Sequence, residues 1–219
     1  MTLRLNGSTS GYTGIDAPAV AGNNTLVLPN GNGSSGQVLA TDGTGALNWA
    51  DNFPAIMEGS IVLGGNTTIV ATESIPNTAK RITLLMSSIS TNGTSQILVQ
   101  VGQTGGSYIT SGYNSRTTGM GAGSSQASIA TNGFAVDVPL FAAANNEISG
   151  QITLSKYSTS KWIASGSFHE HSATLAHFWV SGFISGVAGS GNLNKIRLNT
   201  AGGTALFDST ASVRAIWEF

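Results

Sequence analysis

The sequence predicts an all-β protein, a short-stranded N-terminal segment followed by a larger sandwich or barrel, and three observations lead there. Apolar residues come in bursts of strand length fenced by Gly, Asn, Asp and Ser turn formers. No apolar stripe of helical period is present; Phe141-Ala142-Ala143-Ala144, the best helical candidate, amounts to about one turn. Charged residues make up only 9% of the chain against 40% hydrophobic, where about 25% charged is usual. Hydroxyls and amides must therefore carry solubility, and they suit flat β surfaces and symmetric contacts better than helices.

Residues 1–52 hold the bursts Leu26-Val27-Leu28, Val38-Leu39-Ala40 and Ala46-Leu47-Asn48-Trp49, fenced by Asn30-Gly31-Asn32-Gly33 and Asp42-Gly43. Each is long enough for one short strand. Such strands cannot bury an apolar face within their own chain, and two-stranded ribbons are marginal in water. This segment is expected to become ordered against copies of itself or a partner. Composition changes at Asn52-Phe53-Pro54, and residues 56–219 form the expected head.

In the head, Met57 to Leu63 and Thr67 to Val70 flank Gly64-Gly65-Asn66, which predicts a hairpin. Lys80 to Ser88 and Gln96 to Val101 are strong strands separated by Ser90-Thr91-Asn92-Gly93. Gly102 to Ser125 lacks strand periodicity and is expected to be a long loop. Further strands are predicted at Gln126–Ile129, Phe134–Val138, Glu147–Lys156, Lys161–Glu170, Thr174–Ile184, Leu193–Leu198 and Ala211–Phe219. No repeat of solenoid or propeller period is evident.

Bulk properties exclude several functions. Net charge is −1 and the nine basic residues are scattered, so no electrostatic footprint for nucleic acid exists. Without cysteine there is neither a disulfide frame nor a thiolate metal site. No apolar stretch approaches the eighteen or so residues of a membrane span, and no basic stretch followed by an apolar run predicts a secretion signal. Gly102-Gln103-Thr104-Gly105-Gly106 and Gly119-Met120-Gly121-Ala122-Gly123 lack the Lys-Ser/Thr step of a phosphate loop and are expected to be turns.

Two stretches resemble a known family. Leu3 to Trp49, with LRLNGSTSGY and DAPAVAGNNTLVLPNGNGSSGQVLATDGTGALNW, resembles the N-terminal module of tail-fibre-like structural proteins of marine tailed bacteriophages, cyanophages especially. Residues 80–219 resemble a C-terminal domain common on phage fibre-like proteins, through RITLLMSSISTNGTSQILVQVG, YITSGYNS, ISGQITL and KWIASGSF. The closing pattern has Arg197-Leu198, Gly202-Gly203-Thr204, Phe207-Asp208 and Ile216; His169 to Gly186 departs from it. The resemblance implies a virion component with a trimeric β-sandwich (jelly-roll-like) head, whose N-terminal segment joins it to other virion proteins. A tail fibre or spike contributing to host adsorption is the first expectation. A capsid decoration or head-fibre protein of the same architecture is the alternative.

Candidate site residues follow from the aromatic and titratable side chains. Tyr108 and Tyr113 in the expected loop can stack on sugar rings, with Asn114 and Arg116 bonding hydroxyls, as a receptor-binding surface for host-envelope glycans requires. The aromatics on strands, Trp162, Phe168, Phe178, Trp179 and Phe183, are expected in the core, and Trp217 and Phe219 in the core or a subunit interface. His169 and His171, two apart on a strand, face one side and form a candidate metal pair, with His177 as a third ligand candidate; the alternative is a polar strand face or loop before Ser172. Asp137, Glu147, Glu170 and Asp208 form no pair that sequence can link, and Asp208 suits a turn cap. With no nucleophile–base set visible, neither enzyme activity nor a cofactor is expected.

Overall fold

A computed structural model of the chain describes residues 2–52, 56–61, 69–72, 75–103, 107–121, 123–139, 142–171, 175–187, 191–208 and 212–219. All regular structure among them is β-strand. Two compact units are present, Met1–Phe53 and Pro54–Phe219.

The first unit contains two separate antiparallel pairs: β1 (Leu3–Asn6) with β2 (Tyr12–Ile15), and β3 (Gln37–Thr41) with β4 (Leu47–Asp51). The Leu26–Leu28 burst makes a single bridge, Val27 to Ala46. Local polar chemistry sets the turns. Asp42 Oδ1 accepts from the backbone N–H groups of Thr44 and Ala46, and Oδ2 accepts from the Thr44 hydroxyl. The bonds from Thr44 hold the Asp42 carboxyl below its usual range. Trp49 lies over the turn at Gly33, its Nε1 donating to the Gly31 carbonyl at 2.6 Å. Gly33 has φ +67°, and a Cβ there would meet the indole at 2.6 Å, so glycine alone fits. None of residues 2–52 is buried.

The second unit builds two antiparallel sheets from β5 (Ile56–Ile61), β6 (Ile69–Thr72), β7 (Arg81–Ile89), β8 (Ile97–Gly102), β9 (Tyr113–Gly121), β10 (Ser124–Ala130), β11 (Phe134–Ala135), β12 (Ile148–Lys156), β13 (Lys161–Glu170), β14 (His177–Ser185), β15 (Lys195–Thr200) and β16 (Ser212–Glu218). The eight-stranded sheet has the order β10-β9-β14-β13-β12-β7-β16-β5, and the four-stranded sheet β11-β8-β15-β6. The sheets are unequal and neither closes into a barrel.

One apolar core lies between them. Period-2 alternation aims Ile82, Leu84 and Met86 of β7 inward, with Ile152 and Leu154 of β12 and Phe178, Val180 and Ile184 of β14. They join Val99 and Val101 of β8 and Ile196 and Leu198 of β15 in a single cluster. Trp162 is fully buried there and donates from Nε1 to the Gly191 carbonyl at 2.6 Å. Strand β8 is buried along its whole length; on its other face Leu98 clusters with Ala130 and Ala135, and Gln100 donates to the Asn132 carbonyl and accepts from Arg197. Where β12 meets β7, a bulge between Ile148 and Gly150 shifts the register. Ser149 Oγ accepts from the Ser88 N–H at that point, at 2.9 Å.

Four expectations need correction. The predicted hairpin of Met57–Leu63 and Thr67–Val70 is a crossing between sheets: β5 pairs with β16 and β6 with β15, while Gly64-Gly65-Asn66 lies outside the described residues. Gly102–Ser125 is not a long loop, since β9 spans Tyr113–Gly121 and pairs with β10 and β14. Ala142–Ala144 is not helical; a single i→i−4 bond, Ala142 N–H to the Val138 carbonyl, is present, and Phe141 lies outside the described residues. Finally, Trp162, Phe168, Phe178 and Trp217 are buried and Phe219 packs partly buried against the core, but Trp179 is 49% exposed and Phe183 is half-buried on the outer face rather than in the core. Among the described residues no helix is long and apolar enough to cross a membrane.

Truncating Leu84 to Ala, fully buried at the middle of β7, is expected to cost about 2–5 kcal/mol in urea unfolding. Tyr157→Ala, at a 73% exposed position, should stay within about 0.5 kcal/mol of the parent.

Candidate functional site: the outer face of the eight-stranded sheet

Strand alternation separates the four residues first considered for glycan binding. Tyr113 starts β9 with its side chain inward and is 3% exposed. Its ring packs edge-on against Phe134, centroids 5.0 Å apart. The phenol donates to the Ile109 carbonyl at 3.0 Å and accepts from the Val101 N–H at 2.9 Å. Burial pushes its pKa up. Tyr113 therefore ties the two sheets together and cannot receive a sugar. Tyr108 is bridged to Gly102 at the end of β8, with the Arg197 guanidinium 4.4 Å from its ring centroid. A cation of the four-stranded sheet thus lies over one π-face of Tyr108.

Asn114 and Arg116 remain, both exposed on β9. The register places them on the outer face of the eight-stranded sheet. Thr118, Trp179, Ser167 and Gln151 form one row across β9, β14, β13 and β12. Arg116, Ser181, Ser165 and Thr153 form the adjacent row. The result is two rows of mostly hydroxyl side chains carrying one exposed indole, with Met120, Ile129 and Ile163 exposed on the same face. Sequence reasoning missed Trp179 because aromatics occupy both alternation sets of β14: Phe178 points inward, Trp179 and Phe183 outward.

The three imidazoles gather at one end of this face. His169 and His177 are direct cross-strand partners with centroids 4.6 Å apart, and His171 lies 5.7 Å from His169. His169 and His171 thus do lie on one side, as their spacing predicts. However, His171 Nδ1 sits 3.7 Å from Glu147 Oε2, and His177 stacks beside Trp179 at 6.1 Å with 24° between planes. Among the described residues no three His, Cys, Asp or Glu side chains are grouped to hold a metal ion.

Two carboxylates that sequence left unlinked come together inside the head. Asp137 and Glu170 are both buried. Asp137 Oδ1 accepts from the Ile97 N–H at 3.0 Å, and Glu170 accepts from Asn146 Nδ2. Burial pushes the Asp137 carboxyl up to about 8, opposed by the Ile97 hydrogen bond and reinforced by Glu170. The adjoining cavity, lined by Thr91, Ile97, Asn146 and Ile148, has a volume of about 10 Å³, room for one water and not for a sugar. These acids do not have the open flanks that glycoside cleavage requires. Asp208 has a distant partner, the Ser90 hydroxyl, which donates to Oδ2 at 2.6 Å.

No protein-family model matches the chain, and neither a curated protein nor a solved structure matches it.

Asp137 sets a pH dependence. Its unfolded pKa is near 3.8 and its folded value about 8, so across that window the folded state keeps a proton that the unfolded state releases. Its contribution to stability is complete below the lower value and is lost as pH rises to the upper one. Melting temperatures from pH 4 to 9 should fall with rising pH, and Asp137→Asn should flatten the decline. An unaltered slope in that variant would assign it to other groups. Tyr113→Phe should cost about 1–3 kcal/mol by leaving the Val101 N–H unpaired.

Proposed function

We propose that this chain is a structural component of a bacteriophage virion, a trimeric tail fibre or spike protein whose head contributes to recognition of host-surface glycans. The observation that carries this reading is the first unit's failure to bury its own apolar side chains. Leu3, Leu5, Tyr12, Ile15, Val20, Leu26, Val27, Leu28, Val38, Leu39 and Trp49 are all exposed, from 37% to 92%. Isolated two-stranded pairs of this kind gain stability when a further surface covers them. Other copies of the chain and neighbouring virion proteins provide that surface. The resemblance of Leu3–Trp49 to the N-terminal module of tail-fibre-like proteins supports the same assignment.

In this reading residues 1–52 attach and residues 56–219 present the head outward. The second unit supports that division of labour, because it has its own core and a long face with few charges.

Sedimentation equilibrium of the full chain should give three copies, and immunogold labelling should place the chain on phage particles. A chain lacking residues 1–52 should keep the melting temperature of the head and no longer join particles. A monomeric full-length chain, or incorporation of the truncated one, contradicts the proposal.

A further inference from the structure

We propose that the outer face of the eight-stranded sheet around Trp179 binds an acidic polysaccharide, one pyranose ring stacking on the indole and a carboxylate pairing with Arg116. This rests on the reading of the head as a glycan-recognising module and places its site.

Several features converge on this ligand. Trp179 is 49% exposed in the middle of a long strand, paired with Thr118 on one side and Ser167 on the other. A sugar ring has an apolar face of C–H groups and a polar rim of hydroxyls. An indole bordered by the hydroxyls of Thr118 and Ser167 matches both at once. The indole is also pre-oriented by the His177 ring stacked beside it, which lowers the ordering cost of binding.

Charge selects the class of sugar. Arg116 pairs with Ser181, two residues along β14 from Trp179, so its guanidinium lies within diagonal reach of the indole, about 7–8 Å between side-chain origins. It is exposed and has no ion-pair partner among the described residues. Lys161, at the start of the neighbouring strand, lies over Phe183 and adds a second positive charge. No Asp or Glu faces outward from β9, β14 or β13, since Glu170 points into the core. A uronate-bearing chain is therefore complementary, and a neutral one lacks the pairing that a charge-assisted bond to Arg116 supplies.

Affinity electrophoresis of the full chain through gels containing polygalacturonate, alginate or neutral dextran tests this directly. Wild type should be retarded by at least one acidic polymer and not by dextran, with retardation decreasing in salt. Trp179→Ala should abolish it; Arg116→Gln should weaken it about tenfold and reduce its salt dependence. Tyr108→Ala should migrate as wild type. Circular dichroism melting of Trp179→Ala and Trp179→Phe, both at an exposed position, shows whether the fold is kept.

No retardation of wild type by either acidic polymer overturns the proposal, as does unaltered retardation of a folded Trp179→Ala. A change of oligomeric state in that variant also overturns it, making the face a subunit contact. The virion reading is checked separately: particles that carry the chain while Trp179→Ala binds normally refute this site alone. A chain that binds through Trp179 yet is missing from particles refutes the virion assignment alone.

Discussion

One core shared by two unequal sheets is the constraint on which the head depends. Ile82, Leu84, Ile152 and Phe178 of the larger sheet and Val99, Val101, Ile196 and Leu198 of the smaller one belong to the same cluster. Because the strands alternate, assigning these residues inward commits every second residue outward. The outer face of the larger sheet is thus not an independent surface. Its rows of hydroxyls, its exposed indole and Arg116 are the complement of a buried set, held in place by the same backbone. Tyr113 reinforces the arrangement by reaching from one sheet to the backbone of the other.

Much of this was legible in the sequence where local pattern decides structure. Lys80–Ser88 is a strand-length apolar run fenced by polar residues, and the strand found there runs Arg81–Ile89. What escaped was non-local. Nothing in Met57–Val70 announces that its two strands join different sheets, because the partners that separate them, β16 and β15, lie well over a hundred residues away. β9 escaped for a different reason: its inward residues include Ser115 and Thr117, both fully buried. Small polar residues facing a core hide the alternation, and here the Thr117 hydroxyl is satisfied by the Ala135 carbonyl at 2.6 Å.

The candidate site was half legible for related reasons. Asn114 and Arg116 are polar residues on the correct face, whereas Tyr113 was drawn in by being next to them in sequence, though neighbours in a strand point to opposite sides. Trp179 was hidden by the assumption that a large aromatic on a strand is core. A count along β14 would have raised the question: Phe178, Val180 and Ile184 already make a complete inward set, leaving Trp179 and Phe183 for the other face. The burial of Asp137 and Glu170 in one head had no sequence signal, since it arises only when distant strands assemble.

The position of β16 bears on how the head is made. It lies inside the larger sheet, between β7 and β5, and among the described residues is the only strand to which β5 is paired. During synthesis the residues of β5 leave the ribosome roughly 150 positions before those of β16, an interval on the order of ten seconds or more. Throughout that time β5 has no ladder to join, and the flank of β7 stays open to any extended chain nearby. Neighbouring nascent copies on one messenger would offer such chains. Completion of the sheet thus waits for Ser212–Glu218, and until then correct closure competes with strand exchange between copies.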